Sequence, residues 1–317
     1  MGINRILFIS LVIWIASLLW SCQSKSKSPK DTTSSGQMNF AIDESFKQLA
    51  DNELMVFHST YKAAKVTPFY MNEQQAMELF LKDSFKMILI GRNLDSTELR
   101  IFNNKHQYLP STVKVAIDGI SIIVNPSNKL DRIDMGRLTK IFSGEIKDWK
   151  SIDPKLAGQI TVVADNQGGS NARYIRDSVL KGKPFGKNVY AVKTNQEVID
   201  YISKTPNAIG FIGVNLISKM TDSEEQEFAK TVKTLMISKT DLDDAFLPYQ
   251  AYLATKDYPL TRTILLVINE AYKGLATGFS NFFASDRGQR IVLKEGLLPV
   301  GQPIRIVDMN PTNDIFK

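Results

Sequence analysis

The sequence predicts an α/β fold, and three observations predict it. Apolar runs of strand character alternate with amphipathic stretches of helical period, several of those stretches begin or end on residues with capping chemistry, and the chain is long and apolar enough for a packed interior. Its 317 residues, 43% hydrophobic and 23% charged, are sufficient for one large core or two ordinary ones.

Taken in order, MNFAI (38–42) reads as the first strand and Phe46 to Tyr61 as the first helix, with Ser45 and Gln48 spaced as a capping box. KVTPFY reads as a strand, Glu73 to Leu81 as a helix and FKMILI (85–90) as a strand. KVAIDGISIIVNP (114–126) is the longest strand candidate, and Asp118 and Gly119 interrupt it. A carboxylate loses hydration in a buried strand and a glycine gains no packing there. The pair is either a purely structural bulge, or it marks a bend where the chain passes between lobes or an Asp118 facing a cleft, two readings that are compatible. Gly144, closing MGRLTKIFSG, suits the left-handed residue that ends a helix. ITVVA (160–164) is a strand leading to a helix that starts near Ser170 or Asn171, and Thr194 with Glu197 repeats the capping-box spacing.

The amino terminus has a different character. Arg5 precedes an apolar run from Ile6 to Trp20, shorter than the ~20 residues of a mature membrane span and suited to the core of an export signal. The run ends in LLWSC, and Cys22 is the only cysteine. That ending resembles the lipobox of bacterial lipoproteins, although Trp20 is bulkier than usual; it implies residues 1–21 as a signal peptide and a lipid on Cys22. Residues 22–36 are expected to be a flexible tether, since QSKSKSPKDTTSSG is too polar to fold.

Composition excludes several functions. One cysteine leaves the mature fold without an internal disulfide, a cysteine nucleophile or a thiolate metal site. The two histidines, His58 in a helix and His106 in a loop, read as packing or surface residues, and no Gly-x-Ser-x-Gly elbow or HExxH pattern is present. A formal charge of +6 favours anions in general. The basic runs KSKSPK and KGKPFGK carry no interleaved aromatics to stack bases, so nucleic acid is not an expected partner.

Five stretches then carry a resemblance: AIDGISIIVNPSN, LTKIFSGEIKDWKSID (138–153), ITVVADNQGGSNARYIRDSVL, NAIGFIG (207–213) and the block from 258 to 300 that contains GFSNFFASDRGQRIVLKEGLLP. In this order they resemble the phosphate-binding proteins of ABC transporters, from about Gln37 onward, and AIDESF with GRNLDSTE suggests a diverged lipoprotein branch. The resemblance implies a two-lobed type II periplasmic binding protein fold, each lobe a mixed β-sheet flanked by helices, with the ligand in the cleft between. Lobe 1 would comprise residues 37–117 plus 245–317, and lobe 2 residues 118–244. It further implies a monomeric, non-enzymatic lipoprotein at the periplasmic side of a membrane, which needs no cofactor or metal and hands inorganic phosphate to a permease. Another oxyanion, or a sensor or interaction module without a transported solute, is the alternative.

Under that reading the junction ADNQGGSNARYIRDSVL (164–180) acquires a purpose. Free N–H groups at a helix start, with the helix dipole, form an oxyanion site; Gly168 and Gly169 admit close backbone approach, Ser170 and Asn171 add donors, and Arg173 adds charge. By itself the segment reads rather as an ordinary helix start with a Gly-rich turn and a Ser cap, and only the wider resemblance reverses that weighting. Ser45 is expected to repeat the device from lobe 1. Arg92, after the third strand, would grip two oxygens of the anion unless it serves a surface ion pair. Asp118 or Asp165 would accept the proton that distinguishes phosphate from sulfate. The pocket is thus expected to be electropositive. The chain departs from the family in lacking the Ser-Gly-Thr triplet, its upstream arginine and a Gly-Ser loop near FYMNEQQA, and in placing Arg92 where an acidic residue is common.

Overall fold

The computed structural model describes residues 31–166, 168–217 and 230–301. Cys22, the apolar leader and the first part of the expected tether lie outside this range. The architecture is mixed α/β. Strands β1 (Gly36–Asp43), β2 (Ala64–Met71) and β3 (Met87–Ile90) alternate with helices α1 (Lys47–Thr60) and α2 (Glu73–Leu81), followed by α3 (Ser96–His106). These strands pair in parallel, as buried crossover strands should.

Strand β4 (Ser111–Val124) organises everything after them. Its first part pairs antiparallel with β11 (Thr261–Ile268), from Ser111 opposite Ile268 to Gly119 opposite Thr261. Its last part, Ile120 to Val124, pairs antiparallel with β8 (Ala208–Gly213). Strand β6 (Thr161–Ala164) lies parallel to β8 and to β7 (Val189–Ala191), giving the order β2-β1-β3-β11-β4-β8-β6-β7. One strand therefore carries hydrogen bonds for both halves of the sheet. The register shifts between Ile264 and Leu265, across from the Lys114–Ala116 step, so the bulge falls there and not at Asp118.

Apolar side chains cover both faces. The main cluster runs through both halves, from Phe40 and Phe46 to Phe142 and Phe211. Within it, the ring of Phe279, on helix α8 (Leu275–Ala284), lies edge-on to Phe57 and Phe40 with centroids 5.0 and 5.6 Å apart. Truncating such a buried ring to alanine costs about 3–5 kcal/mol. Among the described residues, no helix is long and apolar enough to cross a membrane.

Local expectations hold with two differences. Gly144 has φ +76°, and Thr194 Oγ1 accepts the Glu197 amide at 3.2 Å, while Glu197 itself caps Lys193. The box expected from Ser45 and Gln48 does not form, because Asp43 Oδ1 takes the Ser45 amide at 2.9 Å and a 3-10 turn (Glu44–Phe46) precedes α1. The expected tether also ends early: Asp31 is buried and bound by Tyr272 and Lys86, and the Thr33 carbonyl packs where a Cβ on Gly278 would fall.

Candidate functional site

Two strand ends, one from each half of the sheet, build the site. At the end of β1 the Asp43 cap turns the chain so that the Ser45 hydroxyl points inward, free of capping duty. At the end of β6, Asp165 folds under the next turn and its Oδ1 accepts the Ala172 amide at 3.1 Å. Gly169 is required there: a Cβ would come within 2.8 Å of Asp165 Oδ2. Helix α5 (Ser170–Tyr174) begins immediately and continues as a wider π turn to Val179.

These ends meet in a buried polar cluster. Ser170 Oγ donates to Asp43 Oδ1 at 3.0 Å and lies 3.4 Å from Ser45 Oγ. Asn171 donates to Asn195 Oδ1 at 2.7 Å, Asn195 donates to Ser45 Oγ at 3.3 Å, and Asn215 donates to the Ser45 carbonyl at 2.8 Å. All are buried. Several of their polar atoms nevertheless lack a hydrogen-bond partner: Asp43 Oδ2, Asp165 Oδ2, Asn171 Oδ1 and Asn215 Oδ1. Each such atom costs about 1–3 kcal/mol unless a water or a bound guest supplies the missing hydrogen bond.

Asp118 joins the cluster from β4. It faces Arg262 on β11, its register partner, whose Nε donates to Asp118 Oδ2 at 2.8 Å. The carboxylate thus faces the seam at the point where β4 changes partner from β11 to β8. Arg262 is 5% exposed, and its guanidinium carbon sits 4.8 Å from the centroid of the Phe46 ring.

Electrostatically the surroundings are acidic, which corrects the expectation of an electropositive pocket. Burial raises the pKa of Asp118, opposed by Arg262, and raises that of Asp43, reinforced by Glu73. Asp165 is pushed up to about 8 by burial and by Asp43, and Glu44, at the rim, to about 7 by burial, Asp43 and Glu197. Asp165 and, in part, Glu44 therefore hold protons near neutrality. Of the first amides of α5, that of Ala172 is taken by Asp165 and that of Arg173 by the Gly169 carbonyl at 3.1 Å, which leaves those of Ser170 and Asn171 at the helix start.

Arg92 and Arg173 are not brought into this cluster. Both Arg92 Nη atoms are gripped by Glu98 at 2.6 Å, so the ion-pair reading describes it, with Glu73 3.4 Å from its Nε. Arg173 Nε binds Glu73, and its Nη2 donates to the Gly91 carbonyl at 3.1 Å. Gly168 serves the same seam: its carbonyl accepts the Gln74 amide at 3.1 Å, and a Cβ on it would crowd Asn72 at 3.0 Å. The structure thus gathers Ser45, Asp118, Asp165, Gly169, Ser170 and Asn171, and sets Arg92 and Arg173 beside them around Glu73.

Sequence reasoning missed Asp43, Glu73, Asn195, Asn215 and Arg262. A signal existed for Arg262, a lone charge in the apolar run YPLTRTILLVI, complementary to the lone Asp118 in another. Among the described residues no group of three or more His, Cys, Asp or Glu is placed to hold a metal ion.

Comparison with known proteins adds an independent line. A family model described as a PBP superfamily domain matches residues 26–287. The phosphate-binding protein PstS of Borreliella burgdorferi is 25% identical over 260 residues, 80% of this chain and 86% of that protein. The crystal structure of a candidate phosphate ABC transporter substrate-binding protein with bound phosphate from Clostridium perfringens superposes with TM-score 0.71 at 18% identity, covering 84% of this chain and all of that one. An ABC-type phosphate transport receptor from Vibrio cholerae gives TM-score 0.65 at 19% identity over 83% of this chain and all of its own. At these identities the two superpositions establish the fold.

Proposed function

Because this chain belongs to the PBP superfamily through residues 26–287, we propose that it captures inorganic phosphate between two lobes on behalf of an ABC transporter. The observation that carries this reading is the meeting of Ser45 and Ser170, one hydroxyl from each half of the sheet, inside a buried cluster with unpartnered acceptor oxygens on Asp43, Asp165, Asn171 and Asn215 and an unpartnered donor on Arg262. A tetrahedral guest that both accepts and donates hydrogen bonds would satisfy them. Phosphate does both near neutral pH, whereas sulfate only accepts and would leave the acceptors Asp43 Oδ2, Asn171 Oδ1 and Asn215 Oδ1 without a donor. Micromolar capture corresponds to about −8 kcal/mol, within reach of several charge-assisted hydrogen bonds in a closed cleft. No bond is made or broken. Calorimetric titration of the purified protein with phosphate and with sulfate tests the reading: phosphate heat with no sulfate heat is expected, and heat from neither ends it.

The same reading assigns residues 37–117 plus 245–317 to one lobe and 118–244 to the other, hinged where β4 passes between them. The role would be served by a monomer held at the periplasmic face of a membrane by a lipid on Cys22, after removal of residues 1–21. Globomycin-sensitive processing, followed as a mass shift, checks that anchor.

A further inference from the structure

The phosphate reading leaves a problem: a buried site for an anion, surrounded by aspartates, needs a cation, and the arginine suggested by the sequence is occupied elsewhere. Three guanidinium groups lie near the seam. Arg92 is held in a fork by Glu98, and Arg173 is spent on Glu73 and the Gly91 carbonyl. Arg262 differs. Its Nε and Nη2 both address the same oxygen, Asp118 Oδ2, at 2.8 Å, and its Nη1 has no acceptor. Among the described residues, buried guanidinium nitrogens without a hydrogen bond belong to Arg262 alone.

Its setting is built. The Phe46 ring stacks on one side of the guanidinium, and Phe46 follows Ser45 directly. Gly213, from the opposite half, leaves room beside Nη2, where a Cβ would stand 3.5 Å away; Gly91 does the same beside Cδ at 3.4 Å. Arg262 also lowers the proton affinity of both Asp43 and Asp165, so its charge reaches both carboxylates that line the cluster. A guanidinium is more weakly hydrated than an ammonium and is the cation best suited to such burial.

We propose that Arg262 is the oxyanion-gripping residue of this protein, oriented by Asp118 through Nε and Nη2 and presenting its unpartnered Nη1 to a small tetrahedral oxyanion at Ser45 and Ser170. The inference rests on the phosphate reading for its ligand class. It adds the residue that neutralises the ligand, drawn from β11 and not from the strand-to-helix junctions. Asp118 fixes the plane of the fork, while its own charge limits the net attraction, so the site favours an anion that can also donate a hydrogen bond to the unpartnered Asp43 Oδ2.

The test uses the intact mature protein, calorimetry with phosphate, arsenate and sulfate, and nitrogen-15 resonances of the arginine side chains. Arg262→Gln is expected to weaken phosphate binding at least 100-fold, and Arg262→Lys, which keeps charge but loses the fork, about tenfold or more. Arg290→Gln, altering an exposed helix pair, serves as the unchanged control. In the wild type the Arg262 side-chain resonances should shift on saturation with phosphate, a readout that does not depend on a variant folding. Arg262→Gln binding within threefold of wild type, or Arg262 resonances unmoved at saturation, overturns the proposal. Arg262-dependent binding of sulfate with no phosphate binding would keep the proposal and remove the phosphate reading; binding of no oxyanion removes both.

Discussion

The guanidinium of Arg173, on the helix that follows β6, reaches across the seam to the carboxylate of Glu73 at the start of α2, where Glu73 Oε2 also accepts the Gly91 amide at 2.8 Å. Glu73 is 2% exposed at its side chain and receives Arg92 at 3.4 Å as well. A carboxylate so placed joins the two halves by charge, and breaking one side of such a buried pair costs about 3–5 kcal/mol. Glu73→Gln is therefore expected to loosen the unliganded protein, seen as faster amide exchange at Gly91 and Arg173 and a larger radius of gyration in solution scattering. Unchanged exchange and scattering would show that the seam closes without this contact.

Removing either hydroxyl that meets at the centre should weaken capture without disturbing the fold. Ser170→Ala and Ser45→Ala each delete one hydrogen bond to a charged guest, worth about 1.5–3 kcal/mol, or roughly 10- to 100-fold in affinity. Calorimetry reads the loss directly, and thermal melting guards against misfolding. An affinity within twofold of wild type for both variants would place the guest elsewhere.

Asp165 gives binding a pH dependence with a defined sign. Burial raises its pKa from 3.8 to about 8, with Asp43 and Glu44 adding repulsion while Arg262 and the Ala172 amide oppose the rise. Below about pH 8 it is neutral and can donate to the guest; above that it becomes a second negative charge beside it. Phosphate affinity should accordingly fall above pH 8, by at most about tenfold per pH unit for one proton, and Asp165→Asn should flatten that limb. A decline that survives Asp165→Asn assigns the dependence to another group.

Glu53 makes a prediction about stability away from the site. It is fully buried on α1 with neither carboxylate oxygen hydrogen-bonded, and its pKa is pushed up to about 9 by burial and by Glu295. A carboxyl raised from 4.5 in this way favours the folded state most below pH 4.5, and its contribution declines as pH rises to about 9. Glu53→Gln should thus gain several kcal/mol over wild type at pH 9 and little near pH 4.5. Denaturant midpoints at both values measure it; equal gains at the two pH values would rule out the carboxyl as the cause.

Much of the fold was legible because it depends on local pattern. Glu73–Leu81 was readable to the residue, and the strand-to-helix junction before Ser170 showed itself through its paired glycines. The cluster was legible in part: Ser45, Asp118, Asp165 and Ser170 each sit at a strand end or interrupt an apolar run. Its charge balance was not. Asp118 and Arg262 are 144 positions apart and become partners only through the β4–β11 register. Arg92 misled for a related reason, since Glu98, six residues on, claims its fork once α3 forms. Asp43 was overlooked because Ser45 looked like the cap, when Asp43 performs that task and leaves the serine hydroxyl for the interior.

The continuity of β4 has a thermodynamic consequence. A strand whose amides and carbonyls are shared between both halves, crossed by one apolar cluster that also runs through both, leaves neither half able to melt while the other stays intact. Denaturation followed by fluorescence of Trp149, in one half, and by circular dichroism of the whole should trace a single coincident transition, so that damage to either half is felt as loss of the entire molecule.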